Sequence, residues 1–373
     1  MTWNALTLSQ ALVRCPSITP IEGGAIQLLE KVLTDLGFTC HRLDFGNVPN
    51  LYAKIGEGHP HLCFAGHTDV VPLGDEAAWN HDPFAGEVID GKLWGRGTAD
   101  MKCAIACFVM AAQDFLKQGT CKGSISLLIT GDEEKDAIDG TVKVLEWLKV
   151  RNDIPDVCLI GEPTSQTHIG DMIKVGRRGS VTARLTCHGK QGHIAYPQLT
   201  DNPIPRLLKT LNALIENTID AGSKYFEPSR LEITSIDVGN TATNIIPSKA
   251  SAMFGTRIND LQTGEKIEAW LHQVAEKYAG KHALEVTRHG DAFLTKDQGF
   301  IHLVSQAIKN VTGSLPEPST SGATTDGRFI IHYCPVVECG VREATMHQVD
   351  EYVEVEDLNI LTQIYSEVLR LFF

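Results

Sequence analysis

Residues that can bind a metal ion stand directly after several apolar, strand-like runs of the sequence. The runs and the residues that follow them are 62–66 before His67, 125–130 before Glu133 and Glu134, 157–161 before Glu162, and 335–340 ahead of His347. Ligands bind outside the carboxyl ends of the strands in an open α/β sheet, so we expect these side chains to converge on one point. Zinc takes imidazole nitrogen and carboxylate oxygen as ligands. The pattern therefore predicts a metal-dependent enzyme.

Two aspartates extend this set. Asp69 lies two residues after His67, where its carboxylate can hold the second ring nitrogen of the imidazole and so select its tautomer. Asp100 lies in the segment 94–102, whose glycines allow the backbone to approach a site closely. Because Asp100 also precedes an apolar helical segment, we expect it to be the N-cap of that helix as well as a ligand. The two roles are compatible, since a carboxylate has several lone pairs.

The adjacent glutamates Glu133 and Glu134 can divide two tasks between them. Neighbouring side chains of an extended backbone point in different directions. One glutamate can bind metal while the other faces the attacking water as a general base. Each acidic or histidine position taken singly also has an ordinary structural explanation, such as a surface turn, a helix cap or a solvated loop. Their shared placement, mostly after apolar strand-like runs, favours a metal site over these separate structural explanations.

The order of helical and strand-like segments predicts an α/β fold with an insertion. Up to residue 178, strands and helices alternate, which is typical of βαβ units and a largely parallel sheet. The pattern then becomes strand 180–188, helix 202–219, strands 230–238 and 248–258, helix 264–278 and strand 284–288. This βαββαβ order is typical of a ferredoxin-like domain. We therefore predict a catalytic domain built from 1–178 and 292–373, with a smaller domain, 179–291, inserted in it.

Composition excludes some classes of partner. The 373 residues have a formal net charge of −13, which argues against nucleic acid and anionic membranes. No apolar run reaches the roughly 18 residues of a membrane span, and residues 1–6 lack the pattern of a signal peptide. Most of the ten cysteines lie in apolar runs, which is typical of buried thiols in a reducing compartment. We expect a cytoplasmic protein without nucleic-acid or membrane partners.

The sequence resembles the M20 family of co-catalytic zinc amidohydrolases over essentially its whole length. The family pattern is H-x-D, a bridging Asp, a Glu-Glu pair, an Asp or Glu, and a late His; it is matched here by His67, Asp69, Asp100, Glu133, Glu134, Glu162 and His347. The resemblance implies a zinc-exopeptidase-like mixed sheet with helices on both faces and a homodimer formed through the inserted domain. It also implies two Zn²⁺ ions per subunit, with Co²⁺ possible in one or both sites.

The resemblance assigns a role to each matched position. His67 and Glu162 resemble the ligands of one zinc, and Glu134 and His347 those of the other. Asp100 resembles the bridging carboxylate, which is often followed in the family by a cis peptide, and Glu133 resembles the general base. One departure is Cys103, where the family generally has glycine after Asp-Met-Lys; it bears on helix packing beside Asp100.

Four segments narrow the resemblance further. Residues 161–165, 176–180, 191–197 and 325–330 are similar to those of family members that remove the succinyl group of an N-succinylated diamino acid in lysine and cell-wall precursor biosynthesis. His193 resembles the histidine that reaches the partner subunit's active site and stabilises the oxyanion. The residues that resemble substrate-carboxylate binders are Arg178, Tyr196, Asn244 and Arg257. Planar guanidinium groups suit this task, because they bind carboxylates with two hydrogen bonds.

Two alternatives stay open. The first is another M20 amidohydrolase, such as an acetylornithine deacetylase or a metallocarboxypeptidase, which a panel of substrates would separate. The second is a non-catalytic binding protein on the same fold, which loss of the base or of a ligand would favour. Apart from the resemblance, His193 has a structural explanation in a turn and Arg257 one as a salt-bridge residue.

Overall fold

A computed structural model describes residues 3–119 and 121–373. Met1 and Thr2, which begin the segment used to argue against a signal peptide, lie outside the described residues, as does Thr120. The chain forms two compact units. The first unit is Met1–Gly176, Thr295–Ser319 and Thr325–Phe373, and the second is Arg177–Leu294 and Thr320–Thr324. The assignment of a catalytic and a dimerisation domain stays a prediction.

Helices and strands alternate along most of the chain. The helices are α1 Ala5–Val13, α2 Ala25–Asp35, α3 Cys103–Lys117, α4 Thr141–Val150, α5 Ile204–Ile215, α6 Gly264–Tyr278, α7 Gln298–Thr312, α8 Gly327–Ile330 and α9 Val355–Phe372. The strands up to residue 188 are β1 Thr39–Phe45, β2 Val48–Gly56, β3 His61–His67, β4 Glu87–Ile89, β5 Lys92–Trp94, β6 Ser124–Thr130, β7 Val157–Ile160, β8 Met172–Lys174, β9 Gly176–Arg177 and β10 Gly179–His188. The later strands are β11 Gly192–His193, β12 Arg230–Asp237, β13 Ile245–Ile246, β14 Lys249–Ile258, β15 His282–Gly290, β16 Phe293–Leu294, β17 Glu317–Ser319, β18 Val336–Glu338 and β19 Tyr352–Glu354.

An eight-stranded sheet forms the centre of the first unit. Its strand order is β1-β2-β6-β3-β7-β18-β8-β17. The four strands β6, β3, β7 and β18 run parallel to one another, whereas β2 is antiparallel to β6 and β8 to β18. The predicted α/β fold with a mixed sheet is confirmed. The parallel pairing also brings the carboxyl ends of four neighbouring strands to one edge of the sheet.

Burial explains the apolar sequence of the central strands. β3 and β6 are buried along their whole length, and a strand covered on both faces has no reason to alternate apolar and polar residues. Phe64 of β3 stacks on Phe108 of α3, with ring centroids 4.3 Å apart. Tyr365 of α9 meets Phe64 edge-on at 5.6 Å. Helices α3 and α9 therefore pack on the strand that ends in His67.

The second unit contains a four-stranded antiparallel sheet with the order β12-β14-β10-β15. Its main elements follow the chain order β10, α5, β12, β14, α6 and β15, as the sequence predicts. Apolar residues of α5 and α6 form one buried core with those of the sheet. Helix α5 ends at Ile215, four residues before the predicted end at 219.

Two further expectations concern burial and membrane spans. The cysteines within the described residues are free thiols, and seven of the ten are buried; Cys103 and Cys107 are among them. Within residues 3–119 and 121–373, no helix has the length and apolar character needed to cross a membrane.

Candidate active site

Four of the five predicted metal ligands, all except Asp100, lie at or just beyond the carboxyl ends of the four parallel strands. His67 is the last residue of β3, and Glu133 and Glu134 follow shortly after the end of β6. Glu162 stands two residues beyond β7, and His347 lies in the loop between β18 and β19. Neighbouring parallel strands end at the same edge, so residues far apart in the chain meet there, as the sequence predicts.

The first group of candidate ligands surrounds His67. Its Nε2 atom lies 3.0 Å from Oδ1 of Asp100 and 3.6 Å from Oε1 of Glu162. One ligand atom from each of these three residues lies within 4.8 Å of the other two. All three residues are buried, which keeps these donor atoms away from water.

The second group shares Asp100 with the first. Nε2 of His347 lies 3.2 Å from Oδ2 of Asp100 and 3.0 Å from Oε1 of Glu134. The ligand atoms of these three residues also lie within 4.8 Å of one another. Asp100 therefore directs one carboxylate oxygen toward each histidine, which is the arrangement of a carboxylate shared between two metal sites.

The backbone at Asp100 differs from the predicted helix cap. Helix α3 begins at Cys103 and its N-cap is Lys102, without a side-chain capping bond. Asp100 lies in the preceding turn, Thr98–Lys102, with an extended backbone at φ −125° and ψ 97°. The N-cap prediction is therefore wrong, because the carboxylate faces the two histidines instead of the helix. The Asp100–Met101 peptide bond is cis.

Asp69 selects the tautomer of His67 through a different atom from the one predicted. Nδ1 of His67 lies 2.9 Å from the backbone carbonyl oxygen of Asp69, but 3.6 Å from its carboxylate. Because a carbonyl oxygen only accepts, Nδ1 carries the hydrogen and Nε2 remains available as a ligand. Burial raises the pKa of the Asp69 carboxyl to about 6, although the charge of His67 and two backbone hydrogen bonds oppose this.

Glu133 lies beside the ligand groups, where the predicted general base should stand. One of its carboxylate oxygens is within 4.8 Å of ligand atoms of His67 and Glu134. The backbone N–H groups of Glu133 and Glu134 donate to the two carboxylate oxygens of Asp69 at 3.3 and 3.1 Å. Burial and then the negative charge of Glu162 raise the pKa of Glu133 well above its usual value.

The acidic groups hold protons on both histidines. Burial opposes the charged form of His67, but the hydrogen bond and charge of Asp100, with the charge of Glu162, raise its pKa well above the usual value. Hydrogen bonds with Asp100 and Glu134 raise the pKa of His347 to about 10. Burial favours the neutral form of Asp100, yet hydrogen bonds from His347 and His67 hold its pKa below the usual range. This excess of acidic groups suits a divalent cation, which binds the deprotonated ligands and releases their protons.

The donor set fits zinc ions in both groups. Each group has one imidazole nitrogen and carboxylate oxygens, which are ligands that zinc takes in proteins. The carbonyl of Asp69 orients the ring of His67, as an outer hydrogen bond commonly does for metal-binding histidines. Cys103 is buried at the start of α3, and its presence leaves Asp100 within reach of both histidines.

The predicted substrate-binding residues lie in two places in the second unit. His193 is exposed in β11, its ring centroid is 5.8 Å from that of Tyr196, and the carbonyl of Asn244 accepts a hydrogen bond from Ile194 at 3.0 Å. Arg178 lies just before β10, and Arg257 pairs with Ser180 across β10 and β14. Burial and then the charge of Arg178 lower the pKa of Arg257.

Three residues near the metal ligands were not singled out from the sequence. Asp326 is buried, and its negative charge contributes to the raised pKa of Glu133. Arg96 and Glu351 form a buried ion pair at 2.6 Å. Arg96 belongs to the glycine-rich segment before Asp100, and Glu351 follows His347 by four residues. Their closeness to ligands in the sequence was the available signal.

Comparison with known proteins identifies the family. Residues 63–371 match the model of peptidase family M20/M25/M40. The chain belongs to the M20 family. A curated M20 relative, the succinyl-diaminopimelate desuccinylase of Parvibaculum lavamentivorans, is 51% identical over 380 aligned residues, which cover 100% of this chain and 96% of the relative.

Solved structures of M20 proteins share the fold. The M20 family metallo-carboxypeptidase of Sulfolobus solfataricus has a TM-score of 0.86 at 18% identity, covering 100% of this chain and 99% of that one. A dinuclear metal-binding peptidase of the M20 family from Bacillus subtilis has a TM-score of 0.70 at 18% identity, covering 98% and 96%. The mixed α/β architecture is therefore that of the M20 family.

Proposed function

We propose that this chain hydrolyses the succinyl amide of N-succinyl-L,L-2,6-diaminopimelate and releases succinate and L,L-diaminopimelate. The observation that carries the proposal is the 51% identity, over the full chain, to a relative named as a succinyl-diaminopimelate desuccinylase. The ligand groups that share Asp100 support a metal-dependent amidohydrolase. The reaction belongs to lysine and cell-wall precursor biosynthesis.

Two zinc ions per subunit are the proposed cofactors. His67 and Glu162 would hold one ion, Glu134 and His347 the other, and Asp100 both. Bound zinc supplies Lewis-acid polarisation of the amide carbonyl and lowers the pKa of the attacking water. The named ligands are also compatible with cobalt, because the two metals accept overlapping ligand sets.

Glu133 is the proposed general base and acid. It takes a proton from water as the water oxygen attacks the carbonyl carbon of the succinyl amide. It then gives that proton to the amine nitrogen as the carbon–nitrogen bond breaks, so the proton balance closes on one residue. Burial raises the pKa of this carboxyl, and that direction favours its taking up a proton from water.

The residues of the second unit complete the proposal. His193 is assigned to the oxyanion in the active site of the partner subunit in a homodimer. Arg178, Tyr196, Asn244 and Arg257 are assigned to the carboxylates of the substrate. The exposed positions of His193, Tyr196, Asn244 and Arg257 support these assignments, since such side chains are available to a ligand. The charge of Arg178 acts on Arg257, and two guanidinium groups close enough to interact suit an anionic ligand.

A paired substrate assay tests the function. Purified protein supplied with zinc is given N-succinyl-L,L-diaminopimelate and, separately, N-acetylornithine, and kcat/KM is measured for each. We expect the succinylated substrate to be strongly preferred, because an acetyl group lacks the free carboxylate of a succinyl group, which an arginine can bind. A preference for acetylornithine would contradict the desuccinylase while leaving an amidohydrolase. Absence of turnover on both, in protein shown to contain two zinc ions, would contradict the proposal as a whole.

A further inference from the structure

A buried ion pair stands behind the two candidate metal sites. Arg96 and Glu351 lie 255 residues apart in the chain, and Nη1 of Arg96 donates to Oε2 of Glu351 at 2.6 Å. The arginine is 2% exposed and the glutamate is fully buried. Neither residue is among the candidate ligands, and the proposed mechanism assigns no role to either of them.

Glu351 holds the turn that carries Asp100. Its Oε2 also accepts from the backbone N–H of Gly97 at 3.1 Å, and its Oε1 accepts from the N–H groups of Ala99 at 2.8 Å and Asp100 at 3.2 Å. One carboxylate therefore receives three backbone hydrogen bonds in addition to that of Arg96. The main chain of Asp100 is anchored on one side while its own carboxylate reaches both histidines on the other.

Arg96 holds the loop that carries His347. Its Nη1 donates to the carbonyl of Gln348 at 3.1 Å, and its Nη2 lies 3.5 Å from the carbonyl of His347. His347 has a φ of 63°, in the left-handed region that non-glycine residues rarely adopt. The guanidinium of Arg96 stabilises this uncommon backbone by donating to the carbonyls of residues 347 and 348. The same guanidinium also binds Glu351.

We propose that the Arg96–Glu351 pair positions two metal ligands, Asp100 and His347, relative to each other. The inference rests on the proposed ligand assignment. Each partner of the pair binds the backbone of one ligand segment, and the short ion pair joins the segments. The carboxylate of Asp100 and the imidazole of His347 are thereby kept 3.2 Å apart and ready for a shared ion. The two residues are positioning residues, since neither side chain is itself among the candidate ligands.

The competing explanation is a purely structural ion pair. A buried charge left without its partner is strongly destabilising, so truncation of either residue alone would lower stability under both explanations. Metal affinity separates them. Loss of hydrogen bonds that orient metal ligands typically weakens binding by about 10–100-fold, whereas a pair that serves only the fold leaves the affinity of the folded protein unchanged.

Two conservative variants and one control form the test. Glu351→Gln keeps the shape of the side chain but places an amide N–H₂ against N–H donors. Arg96→Lys keeps the charge facing Glu351 but lacks the fork that also reaches the carbonyls of residues 347 and 348. Asp153→Asn is the control: it removes a carboxylate paired with Lys54 near His61, at the opposite end of β3 from His67. Each metal-free protein is titrated with zinc against a competing chelator, and its unfolding temperature is measured.

We expect Glu351→Gln to weaken zinc binding by about 10–100-fold, because Asp100 belongs to both groups. Arg96→Lys should weaken one of the two binding events by about tenfold and leave the other close to that of the parent. Asp153→Asn should bind zinc like the parent. Variants that fold and bind two zinc ions with parental affinity would overturn the proposal, whatever their unfolding temperatures.

The parent protein separates this inference from the proposed function. Binding of fewer than two zinc ions by the parent would contradict the ligand assignment itself. The positioning role of Arg96 and Glu351 would then be contradicted as well, because it depends on that assignment. Two ions in the parent together with unaffected variants would contradict the positioning role alone.

Discussion

Asp100 has one carboxylate oxygen 3.0 Å from Nε2 of His67 and the other 3.2 Å from Nε2 of His347. At the scale of single residues, the chemistry of the site depends on which atom of each side chain contacts which partner. The backbone carbonyl of Asp69 leaves Nε2 of His67 as the available ligand. The carboxylate of Asp69 instead accepts from the N–H groups of Glu133 and Glu134, so it places the proposed base and a proposed ligand together.

Glu133→Gln should abolish most turnover and leave metal binding intact. The amide cannot take up the proton of the attacking water, and general acid–base catalysis is typically worth about 10²–10⁴-fold. The measurement is kcat on N-succinyl-L,L-diaminopimelate together with the zinc content of the same sample. Asp136→Asn, an exposed change in the same loop, is the matched control and should keep parental kcat. Near-parental kcat in zinc-loaded Glu133→Gln would rule out this role.

His67→Ala and His347→Ala should each lose one of two zinc ions. The two histidines belong to different ligand groups, and each supplies the only nitrogen ligand of its group among the described residues. Metal analysis by mass spectrometry should find about two zinc ions in the parent and about one in each variant. The exposed His302→Ala should retain both ions. Full occupancy in both ligand variants would show that the assignment is wrong.

At the scale of single elements, β3 has a histidine at each end with opposite electrostatic surroundings. His67 lies among carboxylates at the carboxyl end. At the amino end, His61 is buried and its Nε2 lies 2.8 Å from the hydroxyl of Ser126 on β6. Burial and then the charge of Lys54 lower the pKa of His61 to about 4. The surroundings of the strand therefore favour the neutral imidazole at His61 and the positively charged imidazolium at His67.

His61 should make the metal-free protein less stable as the pH falls from about 6.5 to about 4. Its pKa is 6.5 ordinarily and about 4 in the folded chain, so in this window the unfolded chain binds a proton that the folded chain does not. Between pH 7 and pH 5 this costs about 2 kcal/mol of unfolding free energy.

Urea unfolding of His61→Gln at both pH values checks the effect. The loss of unfolding free energy on going to pH 5 should be about 2 kcal/mol smaller in this variant than in the parent. The exposed His302→Gln should lose as much as the parent does. Equal losses in all three proteins would contradict a lowered pKa at His61.

The carboxyl ends of β7 and β18 approach each other too closely for any side chain at Gly340. A Cβ atom there would lie 2.3 Å from the carbonyl oxygen of Glu162 and 2.5 Å from that of Gly161. Both contacts are with backbone, so the strands themselves would have to separate. The absence of a side chain at position 340 therefore sets the position of Glu162.

Gly340→Ala should lower the unfolding free energy by about 1–3 kcal/mol, the usual cost of overpacking, and should also weaken zinc binding by displacing Glu162. Thermal unfolding and zinc titration measure the two effects. Gly255→Ala in β14 is the control, because a Cβ atom there has its nearest neighbour, a Thr182 methyl group, at 3.8 Å. Parental behaviour of Gly340→Ala would show that the two strand ends are free to separate.

At the scale of the whole molecule, the chain combines two compact units. The candidate ligands and Glu133 belong to the first, and His193, Tyr196, Asn244, Arg178 and Arg257 to the second. The sheet of the second unit has β12 and β15 at its edges, and an exposed edge strand can pair with another chain. This arrangement is compatible with a symmetric homodimer in which residues 179–291 form the interface.

A complementation experiment tests the dimer. Glu133→Ala and His193→Ala proteins, each nearly inactive alone, should recover about a quarter of parental activity when their subunits are exchanged at equal concentration. In a hybrid dimer, one site has an intact Glu133 and receives an intact His193 from the other subunit. Subunit exchange is followed independently with differently tagged chains. Exchange without recovery would mean that His193 does not act across the interface.

Local patterns were sufficient to predict candidate ligand residues and the strands that present them. His67, Glu133, Glu134 and Glu162 each follow a buried parallel strand, and an apolar run that ends in a polar residue is visible over less than ten residues. The same applies to the βαββαβ order of the second unit, because strand and helix periodicities are properties of short segments. These patterns predicted an α/β fold with a largely parallel sheet without any knowledge of long-range contacts, whereas the mixed sheet was implied by the family resemblance.

The conformation of Asp100 and the task of Arg96 and Glu351 depended on the tertiary structure. The sequence favoured a helix cap at Asp100, because an apolar helical segment follows it, and it predicted a role as a metal ligand in addition. In the folded protein, its partners are histidines 33 residues before it and 247 residues after it in the chain. A buried polar group must find a partner, but periodicity carries no information about which distant residue provides it. The partner is determined by the packing of the turn that carries Asp100 against the loop that carries His347.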